Sequence, residues 1–499
     1  MNEKNMTTAN LFTDHSPSLA TSDADRRVAE ALAQVPEYTA FGRVAGISGL
    51  MANVGGLKGA APVGARLRLA GRGGGSTAAE VVGFKDGHAQ VLAYDGLDGV
   101  GLGAMAELET ETASIRPSMS WLGRVVAPMG HAVDGKGPLP HGRKAYPISN
   151  RPPPAHGRNR VGEKLDLGVK AINVFLTCSK GQRMGIFAGS GVGKSMLLSM
   201  LARYAAADVN VIGLIGERGR EVQEFIQENL GEEGLAKSIV VVATSDEAPL
   251  ARRQAAYLTM AIAEYFRDQG KDVLCMIDSV TRFAMAQREI DLAAGEPPAT
   301  KGYTPSVFAE LPRSLERAGP GAGPKQGAIT GLFTVLVDGD DHNEPIADAF
   351  RGILDGHIVL DRTIAERGRY PAVDVLRSVS RTMPACNSET ETELVRMGRR
   401  YMADYQSMAE MIRLGAYWQG ADLAVDAAIA VNPTLEAFLS QRPNERMGLD
   451  QSYLDLAESM GVQVVEDGNA EDAVAANTPV DDAPLGDAAP IAANEANAA

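Results

Sequence analysis

The chain has 499 residues, 45% hydrophobic and 22% charged, an ordinary globular composition on a length that excludes one compact core and predicts roughly three domains. Its formal charge of −15 belongs largely to one end: no Lys or Arg follows Arg446, and the eleven Asp and Glu from Asp450 to Glu495 leave about −4 for everything before them. Three widely spaced cysteines (Cys178, Cys275, Cys386) without a CxxC pair argue against a zinc site and for a reducing compartment, and the seven scattered histidines offer no ligand spacing.

No apolar stretch approaches the roughly eighteen residues of a membrane span and no signal peptide opens the chain, so the cytoplasm is the expected compartment. Met1 to about Thr21 is polar and aperiodic, which predicts disorder. Ser22 reads as an N-cap with Asp25 three residues on. Val28, Leu32 and Val35 follow at helical spacing up to Pro36, a short amphipathic helix that could dock a partner or pack on its own domain.

From Ala40 to about Thr112 the pattern changes to short strands and Gly-rich turns. Ala65-Arg-Leu-Arg-Leu69 alternates. Ala79-Glu-Val-Val-Gly-Phe84, the Asp86-Gly87 turn and Ala89-Gln-Val-Leu-Ala-Tyr94 form a hairpin pattern, and a small β-barrel is the expected closure. Gly73-Gly74-Gly75 reads as a loop, since no helix follows it. Pro152-Pro153-Pro154 is a stiff connector. Between about Gly162 and Arg381 continuous apolar runs alternate with helical patterns: Met184–Ala188, Val209–Ile215, Ile239–Ala243 and Val273–Ile277. Runs of this kind predict a mainly parallel sheet buried on both faces. Glu391 to Val431 reads as mostly helical, with Tyr405, Met408, Met411 and Ile412 on one face, then a break at Pro433 and a further short helix. Residues past Glu466 are too polar to bury a core and are expected to be disordered.

The chemistry concentrates at Ala188-Gly-Ser-Gly-Val-Gly-Lys-Ser195, between an apolar strand and a helix beginning Met196-Leu-Leu. Backbone N–H groups of Gly189, Ser190, Gly191, Val192, Gly193, Lys194 and Ser195 can converge on phosphate oxygens, aided by the helix dipole. Lys194 would reach the β- and γ-phosphates of ATP and the Ser195 hydroxyl would ligate Mg²⁺; the lysine is expected to act on phosphate charge rather than in a core. Ala188 replaces the first glycine of the strict pattern. Asp278 ends a strand and, at this separation from a P-loop, can hold Mg²⁺ through water. In Gly216-Glu217-Arg218, Glu217 could polarise the attacking water and Arg218 meet the γ-phosphate, although Glu217 equally suits a helix N-terminus.

Pro371-Ala-Val-Asp-Val-Leu-Arg-Ser-Val-Ser380 resembles the signature of the rotary ATP synthase α/β family, in order after the P-loop, Gly216-Glu-Arg-Gly-Arg-Glu221 and Asp278. Leu122-Gly-Arg-Val125 and Asp134-Gly-Lys-Gly137 look like the family's approach to its ATPase domain. The resemblance implies an α/β fold: a RecA-like P-loop NTPase core with an N-terminal β-barrel and a C-terminal helical domain. The implied boundaries are 1–36 flexible N-terminus and helix, 37–112 barrel, 113–385 ATPase domain, 386–465 helical domain and 466–499 acidic tail. It further implies that Tyr370 stacks on adenine, that Arg282 sits near the γ-phosphate, and that Arg381 is an arginine finger reaching a neighbour's site. Rotary synthases divide the catalytic glutamate and the finger between two kinds of subunit; this chain has both, which fits a homohexamer.

Met285-Ala-Gln-Arg-Glu-Ile290, Gly295-Glu-Pro-Pro-Ala-Thr-Lys-Gly-Tyr303 and Ser306-Val-Phe-Ala-Glu-Leu-Pro312 look like the type III protein export ATPases, and Thr300-Lys301-Gly302-Tyr303 like their flagellar branch. That branch implies a cytoplasmic ATPase peripherally associated with the inner membrane at the flagellar base. Its implied partners are a regulatory stator-like protein, a central stalk-like protein, the export gate and chaperone-bound flagellar subunits, with no nucleic acid. A rotary synthase subunit, which would need a second kind of chain, stays open. So does a hexameric RNA translocase, although the barrel's aromatics (Tyr38, Phe41, Phe84, Tyr94) are few and unclustered for base stacking.

Overall fold

The computed structural model describes residues 39–57, 59–337 and 344–463. The N-terminal helix around Val28 to Val35, Tyr38 and the acidic tail past Glu466 lie outside the described residues. Six antiparallel strands come first: β1 (Phe41–Ser48), β2 (Met51–Gly55), β3 (Arg66–Ala70), β4 (Ser76–Lys85), β5 (His88–Ala93) and β6 (Met105–Thr110). They close in the order β1-β2-β5-β4-β3-β6, so no strand is left with an unpaired edge. The β4–β5 hairpin turns at Asp86 (φ 48°) and Gly87 (φ 76°), the left-handed pair that matches the twist of a two-residue connection. Leu67, Leu69, Val81 and Val91 fill the barrel interior. Tyr94 is buried with its hydroxyl donating to Glu80 at 2.5 Å, while Phe41 and Phe84 are exposed.

A large sheet follows, built from β7 (Val125–Val126), β8 (Arg183–Ala188), β9 (Val209–Glu217), β10 (Ser238–Thr244), β11 (Val273–Asp278), β12 (Ala328–Leu336), β13 (Gly356–Leu360) and β14 (Val373–Ser380). The order is β14-β13-β8-β12-β11-β9-β10-β7, with a two-residue strand, Gly319–Pro320, beside β12. From β13 to β7 neighbours run parallel; only β14 returns antiparallel, against β13. The continuous apolar runs are explained by two-sided burial. Val211 and Ile215 face helix α2 (Pro249–Asp268), whereas Ile212 and Leu214 face helix α1 (Lys194–Tyr204). Each such side chain contributes about 1.5–3 kcal/mol when fully buried. The fold is thus the expected barrel, α/β nucleotide-binding core and helical C-terminal region.

The helical region comprises α3 (Glu389–Arg413), α4 (Leu423–Leu439) and α5 (Leu449–Ser459), packed on the α1 face of the sheet through Leu394, Leu435, Phe438 and Leu456. Helix α3 opens with a capping box, Ser388 and Glu391 each bonding the other's backbone. The predicted break at Pro433 is not there: α4 runs through it. Proline removes one helical hydrogen bond, but Leu435, Phe438 and Leu439 beyond it are buried, and that packing continues the helix. No helix among the described residues is long and apolar enough to cross a membrane.

One buried ion pair ties the connector to the core. Arg317, 2% exposed, forks onto Glu264 at 2.8 and 3.0 Å and donates to the Ile148 carbonyl at 2.8 Å, while Asn150 donates to the same Glu264 at 3.2 Å. Arg317→Leu strands a carboxylate in the core and should cost about 3–5 kcal/mol in urea denaturation, with much of it regained in Arg317→Leu/Glu264→Leu. A single variant as stable as wild type would show that water reaches Glu264.

Candidate active site

The P-loop connects β8 to α1. Gly191 (φ 77°) and Gly193 (φ 87°) hold the left-handed backbone that turns successive N–H groups inward, a conformation that a side chain at either position would strain. Among the described residues nothing lies within 4 Å of a Cβ placed on Gly191, so none of them fills the cradle there; one on Gly193 would stand 3.2 Å from the Tyr370 ring. Tyr370, 44% exposed, therefore lies against the P-loop, and Gln441 of the segment after α4 donates its N–H to the Tyr370 carbonyl at 2.9 Å.

Two strand ends converge on Lys194. Its ammonium donates to Asp278 Oδ1 at 2.5 Å, at the end of β11, and to Glu217 Oε1 at 3.1 Å, at the end of β9. Thr334 on β12, fully buried, donates its hydroxyl to the same Asp278 oxygen at 2.6 Å. Glu217 is aimed by a bulge: Ile215 pairs with Ala243 and Glu217 with Thr244, leaving Gly216 (φ 69°) as the extra residue. Burial above all, then the Asp278 charge, pushes Glu217 up to about 7, with Lys194 pulling the other way. The expectation that Lys194 acts on phosphate charge rather than in a core leaves out a second role: the same ammonium bridges two carboxylates sheltered at the strand ends.

The other candidates divide. Arg282, in the first turn of the helix Val280–Ala293, packs beside Gly216, where a Cβ would meet its side chain at 3.0 Å, and its buried Nε has no partner among the described residues. Arg218 is not in the cluster: its side chain is 82% exposed and pairs with Glu221 at 3.2 Å. Arg381 lies at the far end of the sheet. Because β14 runs antiparallel, its start follows Tyr370 at the P-loop end while its last residue, Ser380, pairs with Gly356 at the beginning of β13. Arg381 N–H donates to the Asp355 carbonyl at 2.9 Å, and Asp355 N–H bonds the Arg183 carbonyl, where β8 begins. The length of β8 separates that level from the P-loop, about 17 Å at a strand's rise per residue. Sequence reasoning missed Thr334, one of two threonines in a largely apolar strand run.

These residues suit an anionic phosphate ligand with a divalent cation: an open N–H cradle, an unpartnered arginine donor, a lysine, and carboxylates at the strand ends. Among the described residues no group of three or more His, Cys, Asp or Glu could hold a metal alone.

A family model for the nucleotide-binding domain of the ATP synthase alpha/beta family matches residues 168–380, and one for the C-terminal domain of the T3SS EscN ATPase matches residues 387–458. The chain is 58% identical over 432 residues to the flagellum-specific ATP synthase of Caulobacter vibrioides, covering 86% of this chain and 97% of that one. It is 47% identical over 424 residues to that of Bacillus subtilis, covering 85% and 96%. Among solved structures it is similar to the assembled ATPase EscN of the enteropathogenic E. coli type III secretion system, at 37% identity and a TM-score of 0.78, over 84% of this chain and 100% of that one. EscN in complex with its central stalk EscO matches over the same shares, at 37% identity and a TM-score of 0.77. With that identity and coverage, and with a P-loop, two strand-end carboxylates and a barrel–sheet–helix architecture in one chain, the protein belongs to the flagellum-specific ATP synthase family of ATP-hydrolysing enzymes.

Proposed function

We propose that the chain hydrolyses MgATP at sites shared between neighbouring copies in a homohexameric ring, and that this drives flagellar type III export by releasing chaperones from flagellar subunits and unfolding those subunits. One observation carries the reading: Glu217 lies beside its own P-loop while Arg381 lies a strand's length away, so each chain offers complementary halves of two sites. The likeness to assembled EscN and to EscN with its central stalk EscO supports the ring and a stalk-like partner. A stator-like regulator, the export gate and chaperone-bound subunits follow from the family, as does a cytoplasmic place at the membrane base of the flagellum.

In this reading the P-loop amides and Lys194 bind the β- and γ-phosphates, so Lys194 exchanges its two carboxylates for phosphate oxygens. The Ser195 hydroxyl and the Asp278 carboxylate would hold Mg²⁺, whose charge would offset that of those phosphates. Glu217, released from Lys194, orients and deprotonates the attacking water. Arg282 steadies the γ-phosphate with its guanidinium, Tyr370 stacks on adenine, and Arg218 takes part only after leaving Glu221. The neighbour's Arg381 neutralises charge developing in the transition state.

Release of a labelled flagellar subunit from its chaperone, followed by fluorescence with ATP and then with a non-hydrolysable analogue, tests the export reading. Release with ATP alone is the expected result. Brisk hydrolysis that never parts the pair would sink it.

A further inference from the structure

Among the described residues Arg381 has no side-chain partner that aims it; its guanidinium meets the Arg351 carbonyl, at 3.1 Å. What is held firmly is the backbone on either side, and a single side chain does much of the holding. Gln182, fully buried, lies in the turn before β8. Its Nε2 donates to the Asp355 carbonyl and to Ser380 Oγ, both at 3.0 Å. Its Oε1 accepts from Ser179 N–H at 2.9 Å and from Thr382 Oγ1 at 3.1 Å. Two donors and two acceptors saturate the amide, and the Ser179 N–H and Asp355 carbonyl fix which way round it lies.

The geometry bears on Arg381 specifically. Gln182 binds the residue before it and the residue after it, and shares the Asp355 carbonyl with the Arg381 N–H. Ser380 and Thr382 are also tied to the Thr177 carbonyl, at 2.8 and 3.3 Å. We propose that Gln182 is a positioning residue for Arg381, fixing the backbone from which that guanidinium reaches the next subunit's nucleotide; this rests on the trans role of Arg381 given above. The turn that holds it leads into the strand bearing the chain's own P-loop, so one rigid element serves both sites.

The test uses the full-length chain. Gln182→Met, near in volume but without the amide, should lower kcat about ten- to a hundredfold, the scale of a misplaced catalytic group. Affinity for a fluorescent ATP analogue should stay within about twofold, because the P-loop is untouched. Subunit mixing then assigns the defect. Gln182→Met mixed with Glu217→Gln should regain activity, since the Gln182→Met subunit holds nucleotide and receives a well-placed Arg381. Mixed with Arg381→Ala it should gain nothing over Gln182→Met alone. The reverse pattern, or a loss of nucleotide affinity, would place the defect in the chain's own pocket and overturn the proposal. Ser380→Ala/Thr382→Val cuts the same contacts from the other side and carries the test if Gln182→Met does not fold. An Arg381→Ala/Glu217→Gln mixture run alongside separates the two levels. If it stays dead, the trans reading itself fails; if it recovers while Gln182→Met with Glu217→Gln does not, only the positioning role falls.

Discussion

Lys194→Ala should lose at least about 10²- to 10³-fold in ATP turnover, the scale of removing one preorganised charge from developing phosphate charge. It should also melt at a lower temperature than wild type when nucleotide is absent. The second effect follows from the site's geometry: Lys194 is 12% exposed and sits between Asp278 and Glu217, which are 6% and 16% exposed. Removing a buried ion-pair partner costs up to about 3–5 kcal/mol. Glu217, already pushed up to about 7, can take a proton and recover part of that. A Lys194→Ala/Asp278→Asn double variant separates the roles. It should regain melting temperature, since the uncompensated charge is gone, and remain as slow as Lys194→Ala. Differential scanning calorimetry with steady-state turnover measures both. An unchanged melting temperature in the single variant would mean that the lysine does not bridge the carboxylates in solution.

That dual role was not legible in the sequence, and the reason is physical. A P-loop is a local pattern: a strand, glycines that permit left-handed turns, and a helix start lie within a dozen residues, so Gly189 to Ser195 are readable in order. The strand ends at Asp278 and Glu217 are readable too, because apolar runs stop there. Which strands become neighbours depends on sheet order, and β12 lies between β8 and β11 although it follows both in the chain. Thr334 reads as one more β-branched residue of a buried strand until that order sets it against Asp278. Gln182 likewise reads as a turn residue between Gly181 and Arg183, yet its partners are up to 200 residues away. Pro433 misled in the opposite sense, a strong local stop overridden by packing on either side.

The placement of Arg381 leads to the sharpest expectation. Each of Glu217→Gln and Arg381→Ala should be nearly inactive alone, since an arginine finger is worth about 10³- to 10⁵-fold in rate. Neither change should unfold the chain: Arg381 is exposed, and Glu217→Gln keeps size and one hydrogen-bond acceptor. The two should nevertheless complement. In a closed ring of identical chains every interface is heterologous, one face holding nucleotide and the other supplying the finger. An Arg381→Ala subunit holding nucleotide still has its own Glu217, and a Glu217→Gln neighbour still presents Arg381, so that interface is whole. Random assembly from monomers gives this arrangement at about a quarter of interfaces. If Arg381 acted on its own chain's nucleotide, no mixture could help, because every chain would carry one lesion in its own site. The antiparallel return of β14 argues against that, having carried Arg381 to the level of Arg183 at the opposite end of β8 from the P-loop. Turnover of mixtures assembled from monomers at several ratios, with a maximum near equal parts, is the expected signature. A mixture as inactive as its parents, while wild type assembled the same way is active, would rule out the shared site.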